Sequence, residues 1–288
     1  MKGGAAAVWR YGWRRLARAA LFLLAVAVLT LATQIGGLVL CLVVAAGPRV
    51  GRRLARRGAL VRFAALPAIF IVAYGAVSLA AVPVAGMAGR VPLPCLFAGE
   101  SAYKPLTVWT CLLNRHYTTP AARNALDSAA RRLSAGFPGR RIAYLDAGFP
   151  LFDWFPILPH LSHRDGRKVD VALLFVDPGT GRPAPGRAPS PIGYWGYVQP
   201  PPGAFLPCAG QASPLRWDLD WLQPLLPALR LDEAGMAAFL KDMAASPAVA
   251  RIFVEPHIPK RLGIEHPRLR FQGCAAARHD DHIHIAFR

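Results

Sequence analysis

The sequence predicts an α+β domain that follows an apolar and basic N-terminal segment. Residues 1–89 contain no Asp or Glu and hold two long uncharged stretches, whereas residues 90–288 alternate between helix-like and strand-like patterns. The second part has about 200 residues, which is enough for one domain with its own hydrophobic core. We therefore divide the chain into a segment over residues 1–89 and a domain over residues 90–288.

The N-terminal segment predicts two membrane helices. Thirty uncharged residues lie between Arg18 and Arg49, and twenty-seven lie between Arg62 and Arg90. Each stretch exceeds the roughly 20 residues that a helix needs to cross a bilayer. A signal peptide is a poorer explanation, because its apolar core is usually about 7–15 residues long and a second such stretch would not follow. We place the two apolar helices at about 19–47 and 63–89.

The distribution of charge favours a membrane over nucleic acid as the reason for the basic composition. The formal net charge is +18, and eleven of the 34 Lys and Arg residues fall within residues 1–89. The other 23 basic and 16 acidic residues leave only +7 for residues 90–288. More than half of the positive charge therefore belongs to the apolar segment, where it orients membrane helices. No nucleic-acid partner is expected.

The basic residues leave two topologies open. Two spanning helices would place the basic N-terminal tail and the basic loop 49–62 on opposite sides, so one of them would violate the positive-inside tendency. The loop is the denser cluster, with six arginines, and we expect it in the cytoplasm with the N-terminus outside. Alternatively, the first apolar stretch bends at residues 33–37 and returns to the cytoplasmic side. Both topologies export the domain.

The cysteines also indicate export. Cys41 lies within the first apolar stretch, and four cysteines remain in the domain. An even number is typical of disulfides in an oxidising compartment, and no C-x-x-C spacing indicates a metal site made of thiolates. Three connectivities are possible. We favour Cys95 with Cys111, which are close in sequence, and Cys208 with Cys274.

The expected elements of the domain follow from local patterns. Residues 168–176 alternate in polarity and then become apolar, and residues around Ile283 alternate in the same way, which predicts strands. A stretch rich in Gly and Pro, residues 178–207, predicts a long surface loop over a cleft and carries Tyr194, Trp195 and Tyr197. The full expectation is helices at 120–135 and 232–245, and strands at 141–145, 168–176, 251–255 and 282–287.

Two clusters of histidines and acids predict a divided metal site. Five of the eight histidines fall within these two short motifs, which contain His160, His163, Asp170, His279, His282 and His284. Zn²⁺ binds imidazole nitrogen and carboxylate oxygen, and a catalytic zinc takes three protein ligands and one water. The period of two in a strand places His282 and His284 on one face. A loop with the turn signal Asp165-Gly166 enters the strand that carries Asp170, and it can bring His163 to the same point.

These motifs resemble those of the LAS metallopeptidases, which include lysostaphin-type endopeptidases, D-Ala-D-Ala carboxypeptidases and the hedgehog signalling domain. The resemblance rests on His163-x6-Asp170 followed by His282-x-His284. With His160 and His279 added, the pattern is most similar to the penicillin-insensitive murein endopeptidases, as is the segment ARIFVEP at 250–256. The resemblance covers about residues 140–288. It implies a central antiparallel sheet with flanking helices.

The resemblance also implies roles for individual residues. His163, Asp170 and His284 would hold one Zn²⁺ per domain, while His282 first and His279 second would handle protons beside the metal-bound water. His160 is open between a further ligand, an orienting partner and a packed side chain. The acids near the motifs, Asp165, Asp280 and Asp281, are open between supporting acceptors and solvated loop residues. Between the motifs, only Asp218 and Asp220 are further candidates, with a structural role preferred.

The expected function is that of a zinc metallopeptidase anchored in a bacterial inner membrane, with its domain facing the periplasm or the cell exterior. By resemblance, its substrates are D-amino-acid-containing peptides of peptidoglycan. One alternative is a D,D-carboxypeptidase, in which Arg167 or Lys168 would bind a terminal carboxylate. Another is a non-catalytic envelope protein that binds peptidoglycan, although the presence of both His279 and His282 favours an enzyme.

Overall fold

The computed structural model describes residues 3–95, 99, 101–158, 160–211 and 213–288. The N-terminal segment forms three helices, α1 (Gly3–Thr33), α2 (Gly36–Arg53) and α3 (Ala59–Met87). Among the described residues, two helical stretches are long and apolar enough to cross a membrane, Gly12–Thr33 and Ala59–Met87. The prediction of one helix over 19–47 is wrong, because the chain breaks between α1 and α2.

The break follows from the local chemistry of residues 33–36. Gln34 has a φ of 69°, in the left-handed region that cannot continue a right-handed helix. Thr33 Oγ1 accepts a hydrogen bond from the backbone N of Gly36 at 2.8 Å, which satisfies a free donor at the start of α2. The helices then pack closely, since a Cβ on Gly37 would lie 1.9 Å from Thr30 Oγ1. The two helices form a hairpin.

The hairpin places the two basic regions differently from the preferred topology with two spanning helices. Helix α2 runs back along α1 and also packs against α3, where Gly47 faces Leu66. The N-terminal end of α1 and the loop between α2 and α3 therefore lie at the same end of the bundle. The preferred two-helix topology had placed these two basic regions on opposite sides. The observed arrangement corresponds to the alternative with a bend at residues 33–37.

The described residues of the domain form short strands and four α-helices. In chain order the elements are β1 (Val91–Pro92), β2 (Tyr103–Pro105), α4 (Val108–Leu112), β3 (Tyr117–Thr118), α5 (Pro120–Gly136), β4 (Ile142–Tyr144), β5 (Lys168–Ala172), β6 (Phe175–Val176), a 3₁₀ turn (Gln223–Leu225), β7 (Arg230–Leu231), α6 (Glu233–Ala245), β8 (Val249–Phe253), α7 (His257–Arg261), β9 (Leu269–Arg270) and β10 (His282–Phe287). The fold class is α+β, as expected.

The main sheet is mixed, with the strand order β2-β4-β5-β10-β8-β9. The inner neighbours β4-β5, β5-β10 and β10-β8 are antiparallel, whereas the outer pairs β2-β4 and β8-β9 are parallel. Parallel neighbours need a crossover connection, and here helices α4 and α5 connect β2 to β4 while α7 connects β8 to β9. The expected antiparallel sheet is therefore correct for the centre and wrong for the edges.

The two faces of the sheet have opposite chemistry. Val169 and Val171 of β5, with Ile283 and Ile285 of β10, are fully buried in the core that includes α5 and α6. Alternate residues point to the other face, which carries polar side chains. The period of two therefore separates a hydrophobic core from a polar site on the same strands.

Most predicted elements are observed, with local shifts. Helices α5 and α6 begin where their capping residues occur, since Thr119 accepts a hydrogen bond from the N of Ala122 and Asp232 accepts one from the N of Gly235. The strand expected at 168–176 divides, because β6 pairs with β7 in a separate sheet. The strand expected at 251–255 begins two residues earlier.

Both favoured disulfides are confirmed. Cys95 pairs with Cys111, and Cys208 pairs with Cys274, with Cα–Cα distances of 6.0 and 5.4 Å. The first links the chain after α3 to α4, and the second joins two loops of the domain. Cys41 is the free cysteine of the described residues.

Candidate metal centre

The polar face of β5 and β10 forms the floor of the site. The antiparallel register pairs Asp170 with His284 directly, and both side chains are buried. His163 comes from the loop before β5, and its Nδ1 donates a hydrogen bond to the carbonyl O of Ala147 at 2.7 Å. This contact directs the other ring nitrogen, Nε2, to the floor. The side chains of His163, Asp170 and His284 therefore meet at one point.

Three donor atoms form a small triangle. His163 Nε2 lies 3.1 Å from Asp170 Oδ1 and 3.1 Å from His284 Nδ1, and His284 Nδ1 lies 2.8 Å from Asp170 Oδ1. Tetrahedral zinc with bonds of about 2.0–2.1 Å would separate its ligand atoms by about 3.3–3.4 Å. A small outward movement of each atom would make the triangle match the zinc geometry. The donor set therefore fits a divalent metal ion.

The protonation of the triangle also favours a cation. Because the Nδ1–H of His163 is used by Ala147, a neutral ring presents a lone pair toward the carboxylate of Asp170. Burial lowers the pKa of His163, but the charge of Asp170 outweighs it and raises the pKa. Burial lowers the pKa of His284 to about 4, which keeps that imidazole in the neutral form that binds metals.

Asp170 is the central carboxylate of the cluster. Burial raises its pKa, but the positive charges of the surrounding histidines outweigh burial and hold the pKa well below its usual range. Its Oδ2 lies 2.8 Å from His160 Nδ1, yet this buried nitrogen has no aligned hydrogen-bond partner. His160, His163 and Asp170 lie close enough together to hold a metal ion. The Nδ1 of His160 is thus a further candidate ligand atom, since it has no hydrogen-bond partner and lies beside Asp170.

His282 lies beside the triangle and is oriented by a carboxylate. Its Nδ1 is 2.5 Å from Asp281 Oδ1, and Asp281 Oδ2 accepts a hydrogen bond from the backbone N of Trp195. The Nε2 of His282 lies 3.8 Å from Asp170 Oδ2. Burial lowers the pKa of His282, but the charges of Asp281 and Asp170 raise it to about 9. The ring can therefore hold a proton next to the cluster.

His279 completes the row of imidazoles on this face. Its ring centroid lies 4.9 Å from that of His282. Burial and the positive charge of the neighbouring histidines hold the pKa of His279 well below its usual range. The backbone N of His279 donates to Glu255, which forms a buried two-point ion pair with Arg216 at 3.0 Å. This ion pair fixes the start of the His279 segment.

Tyr194 is a further member of the cluster. The sequence pattern predicted only that this residue lies in a loop. Its hydroxyl donates to Asp170 Oδ2 at 3.0 Å and accepts from the backbone N of Asp146 at 3.2 Å. The ring meets His160 and His282 edge to face. The sequence signal for this role was only the presence of an aromatic residue in a Gly- and Pro-rich loop. The folding of that loop brings the hydroxyl of Tyr194 to the carboxylate of Asp170.

The acids near the motifs separate into different roles. Asp281 supports His282, whereas Asp280 and Asp218 both accept hydrogen bonds from Arg278. Burial raises the pKa of Asp280 to about 6, against the charge of Arg278. Asp165 pairs with Lys168 at 2.6 Å in the turn before β5, so it supports that turn and not the cluster.

Two adjoining hollows open above the cluster, with volumes of about 280 and 180 Å³. His160, His282, Trp195 and Trp217 line both hollows, and the two indole rings stack at 5.8 Å. The first hollow continues past residues that include Trp109, Arg115 and Arg278. The second continues past Leu161, Leu215 and Gln272. The loop 178–207 therefore covers part of the cleft, as expected, while Arg167 and Lys168 do not line either hollow.

Comparison of the chain with protein-family models and with curated proteins found no match in either case. The fold and the candidate metal site are therefore described from the structure alone.

Proposed function

We propose that the chain is a membrane-anchored, zinc-dependent peptidase of the bacterial cell envelope. The observation that carries the proposal is the buried triangle of His163, Asp170 and His284, at the floor of a cleft that extends on both sides. The peptide substrate, with D-amino acids of peptidoglycan, follows from the resemblance of the two motifs to murein endopeptidases. The metal-binding group and the proton-carrying histidine beside it are the parts that peptide hydrolysis needs.

The proposed roles follow from the contacts. His163, Asp170 and His284 would hold the zinc ion, which when bound lowers the pKa of its water toward neutrality. Asp281 accepts the Nδ1–H of His282, and the Nε2 of that ring lies beside the cluster, where it would carry the proton that is delivered to the leaving amine. His279, whose lowered pKa keeps its ring neutral, would donate a hydrogen bond to the developing oxyanion.

The shape of the cleft favours an endopeptidase over a carboxypeptidase. The two hollows meet at His160 and His282, so a peptide could extend in both directions from the cluster. In the carboxypeptidase alternative, Arg167 or Lys168 would bind the terminal carboxylate of the substrate. Lys168 is instead paired with Asp165, and Arg167 is exposed.

The three-helix arrangement supports the proposed location in an inner membrane. Both basic regions lie at the end of the bundle away from Ala32 and Gln34, whose atoms contact the domain. A cytoplasmic position for the basic end satisfies the positive-inside tendency for both regions at once. The domain then faces the periplasm or the cell exterior, where both disulfides would be stable.

The test is elemental analysis of the full-length chain purified in detergent, together with digestion of crosslinked peptidoglycan with and without a chelator. We expect about one zinc per chain and release of monomeric peptides that the chelator stops. His284→Ala should lose the metal. His282→Ala should keep the metal and lose about 10²–10⁴-fold in rate, the usual contribution of general acid–base catalysis.

A matched control is His266→Ala, because His266 lies outside the cluster and accepts a hydrogen bond from the N of Arg268. This variant should keep both metal and activity. Zinc without any cleavage would reject the peptidase and favour a binding protein. Absence of metal, or full metal content in His284→Ala, would reject the assignment of the site.

A further inference from the structure

Among the described residues, side-chain hydrogen bonds join the domain to the helices on α3 and at the turn between α1 and α2. Tyr74 of α3 donates its hydroxyl to the carbonyl O of Leu112 at 2.6 Å, and Asn114 donates to Ser78 and Tyr74. These contacts hold α4 and the turn after it against α3. The domain therefore meets α3 well before the C-terminal end of that helix, which is at Met87.

The second point of attachment is the turn between α1 and α2. The side chain of Gln34 donates to the carbonyl O of Phe152 at 3.3 Å and accepts from the N of Leu151 at 2.8 Å. Arg115, in the turn after α4, also contacts this end of α1, because its Nε donates a hydrogen bond to the carbonyl O of Ala32. Its Nη1 donates to the carbonyl O of Leu158 within the domain. Ala32 of α1 and Tyr74 of α3 therefore mark how far along the bundle the domain is attached.

The length of helix between the basic end of the bundle and the level of these contacts is shorter than the thickness of a membrane. At about 1.5 Å per residue, Arg62 and Tyr74 are separated by about 18 Å, and Arg18 and Ala32 by about 21 Å. The hydrocarbon core of a bilayer is about 30 Å thick. Even when arginine side chains extend toward the cytoplasmic surface, the contact level lies within or at the edge of the apolar layer. The part of the domain at this level cannot be held clear of the membrane.

The side chains at this level suit such a position. We define the rim as Trp109, Leu112, Phe152, Trp154, Leu158 and Leu161, which are between 43% and 72% exposed. They come from α4 and from the loop that follows Leu151. Arg164 stacks on Trp154 at 4.2 Å and places a positive charge beside the apolar group. Aromatic and aliphatic side chains with flanking cations are typical of the interface between membrane and water.

We infer that the rim is inserted into the interfacial layer of the same membrane that the helices cross. The first hollow of the cleft is lined by Trp109 and Arg115 on the side of the rim, and by His160 and His282 at its floor. The cleft therefore opens next to the lipid headgroups. The inference rests on the proposed membrane anchoring and is independent of peptidase activity.

The experiment measures the depth of the rim in vesicles of phosphatidylethanolamine and phosphatidylglycerol. The full-length chain with Cys41→Ser carries an environment-sensitive fluorophore at Phe152→Cys or, as a second variant, at Leu161→Cys. Nitroxide lipids labelled at the headgroup or deep in the acyl chain then quench the probe. We expect a blue-shifted emission and strong quenching by the headgroup nitroxide at both rim positions.

Two reference positions separate the possible failures. A probe at Leu24→Cys on α1 should be quenched by the deep nitroxide if the helices span the bilayer. A probe at Lys241→Cys should not be quenched, because Lys241 is exposed on α6, which packs against α5 and β8. Quenching at Leu24 with none at either rim position would overturn the inference and leave the anchoring intact. No quenching at Leu24 would overturn both.

Discussion

The hydroxyl of Tyr194 should control the affinity of the metal site. It donates a hydrogen bond to Asp170 Oδ2 at 3.0 Å, while the other carboxylate oxygen faces His163 and His284. A hydrogen bond to a charged group is worth about 1.5–3 kcal/mol. Loss of a residue that orients a metal ligand typically weakens metal affinity about 10–100-fold. For Tyr194→Phe we therefore expect zinc to bind about 10–100-fold more weakly, with the same stoichiometry at saturation.

The chain offers a matched control for this substitution. The hydroxyl of Tyr197 donates to the carbonyl O of Trp217 at 2.5 Å and does not contact the triangle. Tyr197→Phe removes the same atom from the same loop and should leave zinc affinity unchanged. Affinity is measured by competition with a chromophoric chelator, using full-length protein in detergent. If both variants bind zinc as wild type does, within about a factor of three, Tyr194 does not orient Asp170.

The other predictions concern stability, measured as the unfolding temperature of the full-length chain in detergent. Burial lowers the pKa of His116 to about 4, so the folded state binds this proton less well than the unfolded state, whose pKa is about 6.5. The contribution of His116 to the free energy of unfolding is fully present above pH 6.5. It is lost as the pH falls toward 4, and the loss at pH 5 is about 2 kcal/mol. Between pH 6.5 and pH 5, the unfolding temperature of His116→Gln should fall by less than that of the wild type. An equal fall in both proteins would contradict the lowered pKa of His116. Gly37→Leu should destabilise the hairpin by about 1–3 kcal/mol, the usual cost of overpacking, because its Cβ would lie 1.9 Å from Thr30 Oγ1. Gly75→Leu is the control, since nothing lies within 4 Å of its added Cβ, and an unchanged unfolding temperature for Gly37→Leu would refute the close packing.

Local sequence pattern was sufficient for much of the candidate site. The alternation around Ile283 placed His282 and His284 on one face, and the opposite face is buried with Ile283 and Ile285 as the period of two requires. The proximity of Cys95 and Cys111 in the chain also predicted their pairing correctly. These features depend on neighbours within a few residues, so the linear pattern contains the information.

Features that depend on contacts between distant segments were not predictable in the same way. The supporting role of Tyr194 needs its loop to fold over β5, and the ion pair between Arg216 and Glu255 joins two separate loops. The parallel edges of the sheet depend on crossover helices, whose direction no local pattern specifies. The break at Gln34 interrupts a stretch whose apolar composition is continuous, and composition alone therefore predicted one long helix.

The sequence by itself determined the apolar segment and indicated the α+β class and the two histidine clusters, because composition, spacing and strand period are local properties. It favoured the two disulfide pairs among three possible connectivities. Only the tertiary structure decided the hairpin of the first two helices and the level at which the domain meets them. It also decided the register that sets Asp170 opposite His284. Register is a property of two strands together, and a shift of one residue would move one of these side chains to the core face.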